Sequence, residues 1–472
     1  MFQGNHGVSM LCLLLGVALG AAHLAAQSPY QLRIAAQPGD TISGEVLTSL
    51  GDPALNNNGL IAFLAGATGG NAGGIFTTTR QVARSLDIIS GIKFSIFSTP
   101  VINDSGEVAF VAASLQSSGI FTVGPVASVP SLVVQEGQTI SGLTLTTIVD
   151  DSRSLALNNL GGLVFFSFFN GTSGRFTPGL FTPSMVISAQ GSVIGGHTIT
   201  GFSAQTALSN NAVVVFGPAW DGGGGVATPS TVLAQPGVNI GGLIVNPLNV
   251  NFAIGALGNL AFIGTYSGGW GVFTPNHVLV QTGDTIGGKV VNGQPTYLSV
   301  NSTGIVAFIA PFDGGNGVFT QHSLVAQTGD IISGKTIMDF SGTVINNSGD
   351  IAFRTYFSDG TQAIVVATLP SNLSMSPRSQ TFAAQKAGAV SAAKLVAVTN
   401  KGSQPITLTG FQTMGQFVQV NNCQSALLPG HSCGIAIFFT PSTSGAKAGQ
   451  VIFLTPGNPI PYVITLAGAA TP

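Results

Sequence analysis

The chain has 472 residues, a formal net charge of −2 and only 6% charged residues. No basic excess is present to meet nucleic acid or an anionic membrane surface. Glycine fills 65 positions, which disfavours helices, and no 3.6-residue apolar period persists beyond the leader.

Residues 1–26 read as a secretory signal peptide. Val8–Ala22 is a Leu-rich apolar run, and small residues (Gly20, Ala21, Ala22, then Ala25, Ala26) end it. No Lys or Arg precedes the run, so a single membrane anchor is the alternative. Cys12 lies within the run rather than behind a lipobox, which argues against a lipoprotein. Downstream there is no apolar stretch of about 18–20 residues, hence no stable membrane span once the signal is removed. An outer-membrane barrel would also be β-rich, but it needs aromatic girdles, and the chain has 2 Trp and 5 Tyr.

Residues 32–370 repeat one motif seven times. Clear copies are NNNGLIAF (Asn56, Gly59, Phe63), NDSGEVAF (Asn103, Gly106, Phe110), NSTGIVAF (Asn301, Gly304, Phe308) and NNSGDIAF (Asn346, Gly349, Phe353). Looser copies are NNLGGLVF (Asn158, Gly161, Phe165), SNNAVVVF ending at Phe216 and GALGNLAF ending at Phe262. The period, about 45–55 residues, means a repeat architecture. The sixth unit shows the parts: Thr296–Val300, the turn Asn301–Gly304, the run Ile305–Ala310, a turn at Asp313–Gly317, Val318–Thr320, the pair Gln321-His322, then Ser323–Gln327. Short β-branched or aromatic runs bounded by Gly, Asn, Asp and Ser are strands, with Asn and Gly as turn residues. Four antiparallel strands per unit make a propeller blade, its middle strands buried on both faces.

The fourth strand recurs as LVVQ, MVISAQ, VLAQ, VLVQ and LVAQ, is missing after the seventh unit (Ala363–Pro370), and stands orphaned at Leu32–Asp40. The expected fold is therefore all-β: a seven-bladed β-propeller closed by its N-terminal strand. An open β array or two smaller sheets are the alternatives. Closure predicts that Leu32–Ala36 pairs with Ala363–Ala367.

Beyond Pro370 the grammar changes. Residues 371–472 carry alternating strands at Leu395–Thr399, Ile406–Gly410, Phe417–Val420, Gly434–Phe439, Gln450–Leu454 and Tyr462–Leu466, which predicts an Ig-like β-sandwich. After loss of the leader two cysteines remain, Cys423 and Cys433. An even pair in an exported chain reads as a disulfide, two buried thiols being the alternative.

Two resemblances follow from these residues. SMSPRSQTFAAQKAG, KLVAVTNKGSQPITLTG, the Cys423–Cys433 spacing, Phe439-Thr440-Pro441 and the closing ITLAGAA resemble the ASH immunoglobulin-like domains, most of all the bacterial choice-of-anchor D form. That implies an accessory module over Leu373–Ala470 rather than an enzyme. The sevenfold motif resembles bacterial tandem-repeat proteins with an Asn-x-x-Gly-x-x-Ala-Phe signature, which implies export and surface display and no reaction. Ser209, Ala212 and Gly255 depart from that signature. A ligand site in every unit would be impaired there, whereas turns tolerate the changes, so the motif residues read as structural.

Chemistry is sparse. Only three residues are Glu (Glu45, Glu107, Glu136). The neighbours Asp150 and Asp151 would face opposite sides of a strand. Asp104, Glu107, Asp284, Asp330 and Asp350 could meet at a rim. His277 and His322 occupy equivalent turns, which repeat ancestry explains. No HExxH, zinc spacing or G-x-S-x-G elbow is present. Asn103–Glu107 and Asn346–Asp350 offer oxygens around a glycine, but each turn is too short to hold calcium alone. Gly222–Gly225 and Gly314-Gly315 lack the helix and Lys of a phosphate loop. No catalytic residue, metal site or cofactor is therefore expected. The expected role is a secreted or surface-displayed scaffold binding an extracellular glycan or protein. The alternative is a carbohydrate-active hydrolase or lyase using rim carboxylates. Three or more Asp/Glu with aromatics at one mouth would favour the enzyme; a mouth lined by uncharged Ser, Asn and Gly would favour binding.

Overall fold

The computed structural model describes residues 28–472 except 69–72, 152, 172–175, 424–425 and 457. The signal segment 1–26 lies outside the described residues. Every regular element among those described is a β-strand.

Seven antiparallel sheets of four or more strands follow one another along the described residues of 31–368, with two separate two-stranded hairpins, Ile88–Ile89 with Ile92–Lys93 and Thr285–Ile286 with Lys289–Val290. The sixth runs Thr296–Val300, Val306–Phe312, Gly315–Thr320, Leu324–Gln327 in order from its inner to its outer edge. The seventh has Lys335–Ile345, Ile351–Phe357 and Gln362–Thr368, and its outer strand is the N-terminal segment Gln31–Ala36. Leu32 pairs with Ala367 and Ile34 with Val365, antiparallel, which is the pairing that the orphan strand implies.

No sheet has a core of its own. Ala109 and Val111 of the second sheet share one buried cluster with Phe165 and Phe181 of the third. The same sharing joins first to second, third to fourth, fourth to fifth, fifth to sixth and sixth to seventh. The circuit closes: Phe63 and Phe76 of the first sheet share a cluster with Ala352, Ile364 and Val366 of the seventh. Packing on both faces explains why Val108–Ala113 is buried at every residue and reads as a continuous apolar run.

The motif phenylalanines are the pins of these cores. Phe63, Phe110, Phe165, Phe216, Phe262, Phe308 and Phe353 are all buried, each contributing about 1.5–3 kcal/mol by leaving water. Five stack on the phenylalanine of the next strand, as Phe110 does on Phe121 at 5.9 Å and Phe308 on Phe319 at 5.9 Å. Phe216 and Phe353 face Ala227 and Val365 across the sheet and meet instead Phe202 at 5.6 Å and Phe340 at 5.5 Å.

Residues from 373 onward form two sheets, one holding Lys394–Asn400 and Ser432–Phe439, the other Gly445–Thr455 and Asn458–Thr471. Both contribute to one core, with Val396, Ile437, Val451 and Leu466 inside it. Cys423 and Cys433, both members of this core, form a disulfide. The strand expected at Ile406–Gly410 is displaced to Thr409–Met414. Ile406 makes only a single bridge, to Leu427, because it and Leu408 turn into the core ahead of the strand.

Deleting residues 28–40 should lower the melting temperature by about 10 °C or more, since it exposes a strand edge and two shared cores; an unchanged calorimetric trace would make closure dispensable. Tyr30, in the same segment, has its phenol pushed up to about 12, first by burial and then by the Asp350 charge. The fold therefore favours the protonated ring. Its stabilisation is complete below pH 10.0 and is lost as pH rises towards about 12. Tyr30→Phe should unfold less steeply than the parent across that window in an alkaline melting series.

Candidate functional site at the ring axis

Two ends of the ring are distinct, and the Asn–Gly turns build one of them. Asn56 Oδ1 accepts the backbone N–H groups of Asn58 (3.1 Å) and Leu60 (2.8 Å), fixing its own turn. Its Nδ2 donates to the carbonyl of Asn103 in the next sheet at 2.9 Å. Asn103, Asn158, Asn301 and Asn346 repeat both roles, and Asn346 Nδ2 returns to the carbonyl of Asn56 at 3.3 Å. A second circuit links the next turn position. Asn347 N–H donates to Asn57 Oδ1, Asn57 N–H to Asp104 Oδ1, Asp104 N–H to Asn159 Oδ1 and Asn159 N–H to Asn210 Oδ1, at 2.8–2.9 Å.

The departures from the motif are repaired locally. In the fourth copy Ser209 Oγ accepts the N–H of Val213 at 3.1 Å, and the link onward is backbone, Asn210 N–H to Ala256 carbonyl. In the fifth, Asn259 replaces the missing amide by donating to the Asn301 carbonyl at 2.7 Å. Gly59, Gly106, Gly161, Gly304 and Gly349 all hold φ between 76° and 86°, where a side chain is disfavoured, and Ala212 adopts φ 59° in their place.

The C-terminal double sheet covers this end. Ser379 accepts from Asn58 Nδ2, Gln450 accepts from Ser302 Oγ at 2.8 Å, Thr465 meets Asn347 and Ala448 N–H donates to Asn211 Oδ1 at 2.6 Å. Arg378 pairs with Asp350. A cleft of about 720 Å³ at this junction, which Tyr462 and Pro405 help to line, has the Arg378–Asp350 pair in its wall.

The acidic residues picked out in sequence do not converge. Asp284 and Asp330 each accept the N–H three residues earlier in peripheral hairpins. Asp104 is held by Asn57 and Asn159 amides, and burial pushes its carboxyl upward against those hydrogen bonds. Glu107 accepts from Asn103 Nδ2 at 3.1 Å. Asp151 accepts the Arg153 N–H at 3.0 Å. His277 and His322 sit in matching outer turns. No group of three His, Cys, Asp or Glu able to hold a metal occurs among the described residues.

What does converge is a position that motif reading passes over. Eleven residues before each motif phenylalanine the innermost segments of the sheets carry Asp52, Thr99, Ser154, Gln205, Asn251, Tyr297 and Gly342, the first three in breaks between strands. Arg153, beside Ser154, reaches across the axis. Its Nη1 donates to Asn251 Oδ1 at 2.9 Å and Gln205 Oε1 at 3.4 Å, and its guanidinium lies 5.8 Å from the Tyr297 ring centre. One side chain of the third sheet thus touches the fourth, fifth and sixth. On the far side Arg354 pairs with Asp52 at 3.0 Å, Ser341 Oγ donates to Asp52 Oδ1 at 2.8 Å, and Arg354 lies over Tyr356. Gly342 makes room: a Cβ there would stand 2.4 Å from that of Asp52.

The electrostatics join the two halves. Burial lowers the proton affinity of Arg153, opposed by Tyr297, Asp151 and Asp52. Burial and the Asp52 charge raise the Tyr297 phenol, opposed by Arg153 and Arg354. The cluster offers planar hydrogen-bonding groups and aromatic rings beside the ion-paired Asp52 carboxylate. Lining up the seven copies and asking which position ahead of the motif carries a polar side chain in six of them while changing its identity would have found it.

No protein-family model and no curated protein sequence matches the chain. Among solved structures, an oligogalacturonate lyase from Vibrio parahaemolyticus is similar at TM-score 0.44 and 11% identity, over 72% of this chain and 94% of that one. TolB from Acinetobacter baumannii is similar at TM-score 0.29 and 9% identity, over 69% and 66%. An ASH/PapD-like domain of human CEP192 is similar at TM-score 0.19 and 14% identity, over 21% and 85%. At these scores the likeness extends to the all-β class and no further.

Asn301→Ala should cost about 2–4 kcal/mol in urea unfolding, because it strands the N–H groups of Thr303 and Ile305 and breaks the link to Asn346. Asn301→Ser should recover part of that loss, as Ser209 does in the fourth copy. Equal losses for both would deny the side-chain oxygen its turn role.

Proposed function

We propose that the chain is an exported, non-catalytic binding protein: a seven-bladed β-propeller covered at one end by an Ig-like β-sandwich, taking an extracellular glycan or protein through the other end. The observation that carries this reading is the axial cluster of Arg153, Gln205, Asn251 and Tyr297, a set of directed polar groups reached from several sheets. Its carboxylate Asp52 is tied to Arg354 and Ser341, which favours binding over acid–base work needing two uncommitted carboxylates. Side chains at the mouth of a rigid ring suit recognition. A Cys423–Cys433 disulfide and the lack of any helix long and apolar enough to cross a membrane, among the described residues, are compatible with export.

A glycan array probed with the mature chain, with and without calcium, tests the reading. Selective retention of a few glycans, unaltered by calcium and without cleavage products, is expected. Release of shortened oligosaccharides would replace it with a carbohydrate-active enzyme, and retention of none would leave a protein partner as the occupant.

A further inference from the structure

Resting on that reading, we infer that the axial cluster is a site for the terminal pyranose ring of a glycan, entering end-on from the uncovered mouth. The turn end is engaged by Ser379, Gln450, Thr465 and Arg378. The occupant proposed for the axis therefore comes from the opposite side, with its chain end foremost.

The chemistry of the position selects the class. A sugar ring presents adjacent hydroxyls that each donate and accept, and a face of C–H groups. Guanidinium, carboxamide and carboxylate groups are planar with two hydrogen-bonding atoms, so each spans two adjacent hydroxyls. Arg153, Gln205, Asn251 and Asp52 supply four such groups, and Tyr297 supplies a half-buried ring with a polar tip beside them. The Arg153–Gln205 contact, at 3.4 Å, is long for a hydrogen bond and exchanges for a hydroxyl at little cost. No aliphatic side chain holds the axial position in any of the seven copies, which disfavours a lipid or other greasy ligand.

Two further observations set this position apart from packing. The motif keeps Phe in all seven copies because the cores require it, while the axial position carries seven different residues. Tyr297 holds φ at 51°, a conformation unfavourable for a bulky side chain. Five of the other copies reach the same place without it, and the seventh does so with Gly342 at φ 61°, a residue that adopts the conformation freely; at Tyr297 the backbone bears a cost and presents the ring to Arg153.

The test is saturation-transfer NMR on the mature chain with a panel of methyl pyranosides, neutral and uronic. At least one should bind, and Arg153→Met and Asn251→Ala should each weaken it about tenfold or more. Ser379→Ala, at the covered end, should leave it unchanged. Melting curves verify that the variants fold. Should either fail to fold, phenylglyoxal footprinting of the unaltered protein replaces it: the bound pyranoside should shield Arg153 and leave Arg84 reactive. Binding of equal strength in both variants, or shielding that spares Arg153, places the sugar elsewhere and overturns this inference while leaving a glycan-binding scaffold standing. Absence of transfer to any pyranoside, alongside retention on the array, overturns it equally.

Discussion

Every buried cluster in the ring is held in common by two neighbouring sheets. A sheet removed from its neighbours has two apolar faces and no interior. Its stability is therefore a property of adjacency, and adjacency has no end until the first sheet meets the seventh through Phe63, Phe76, Ala352 and Ile364. The strand Gln31–Ala36 is what brings that last contact about, by pairing with Gln362–Thr368 and filling both cores beside it with Leu32, Ile34 and Ala36.

The turn circuits act on the same constraint with directional bonds. Apolar faces tolerate sliding, because burial is roughly proportional to area and has no preferred angle. An amide that must reach one particular carbonyl in the next sheet does not. Asn56, Asn103, Asn158, Asn301 and Asn346 thereby set the height and rotation of each sheet against its neighbour. Fixing that geometry is what lets Arg153 find Asn251 two sheets away within 2.9 Å. The precision of the axis is inherited from the turns.

The strands, the turn chemistry and the N-terminal closure were legible because they recur. Asn, Gly and Phe at fixed offsets meet the same demand in each unit, and demands that repeat leave a pattern. The axis was not legible for the opposite reason. Asp52, Gln205, Asn251 and Tyr297 share a place and no chemistry, so a motif search averages them away. Arg153 is displaced by one residue from the register of the others, and nothing local marks it. The covering of the turn end was hidden too. Ser302, Asn347, Gln450 and Thr465 are ordinary polar residues, and only the fold brings residues 148 and 118 positions apart into hydrogen-bond contact. The shift of the expected strand at Ile406 to Thr409–Met414 shows the limit of alternation as a guide: apolar residues there enter the core before the backbone becomes a strand.

Closure by the N-terminal strand also has a consequence in time. Gln31 finds its partner at Thr368, so a chain emerging from its N-terminus carries an unpaired, β-prone edge until the seventh sheet has been delivered. Contacts of such sequence separation form slowly, and unpaired edges invite association with other chains. The order of synthesis thus runs against the order of assembly: the first strand made is the last to be placed. Cooperative completion in a single late step, rather than sheet-by-sheet accretion, is the kinetic signature this topology imposes.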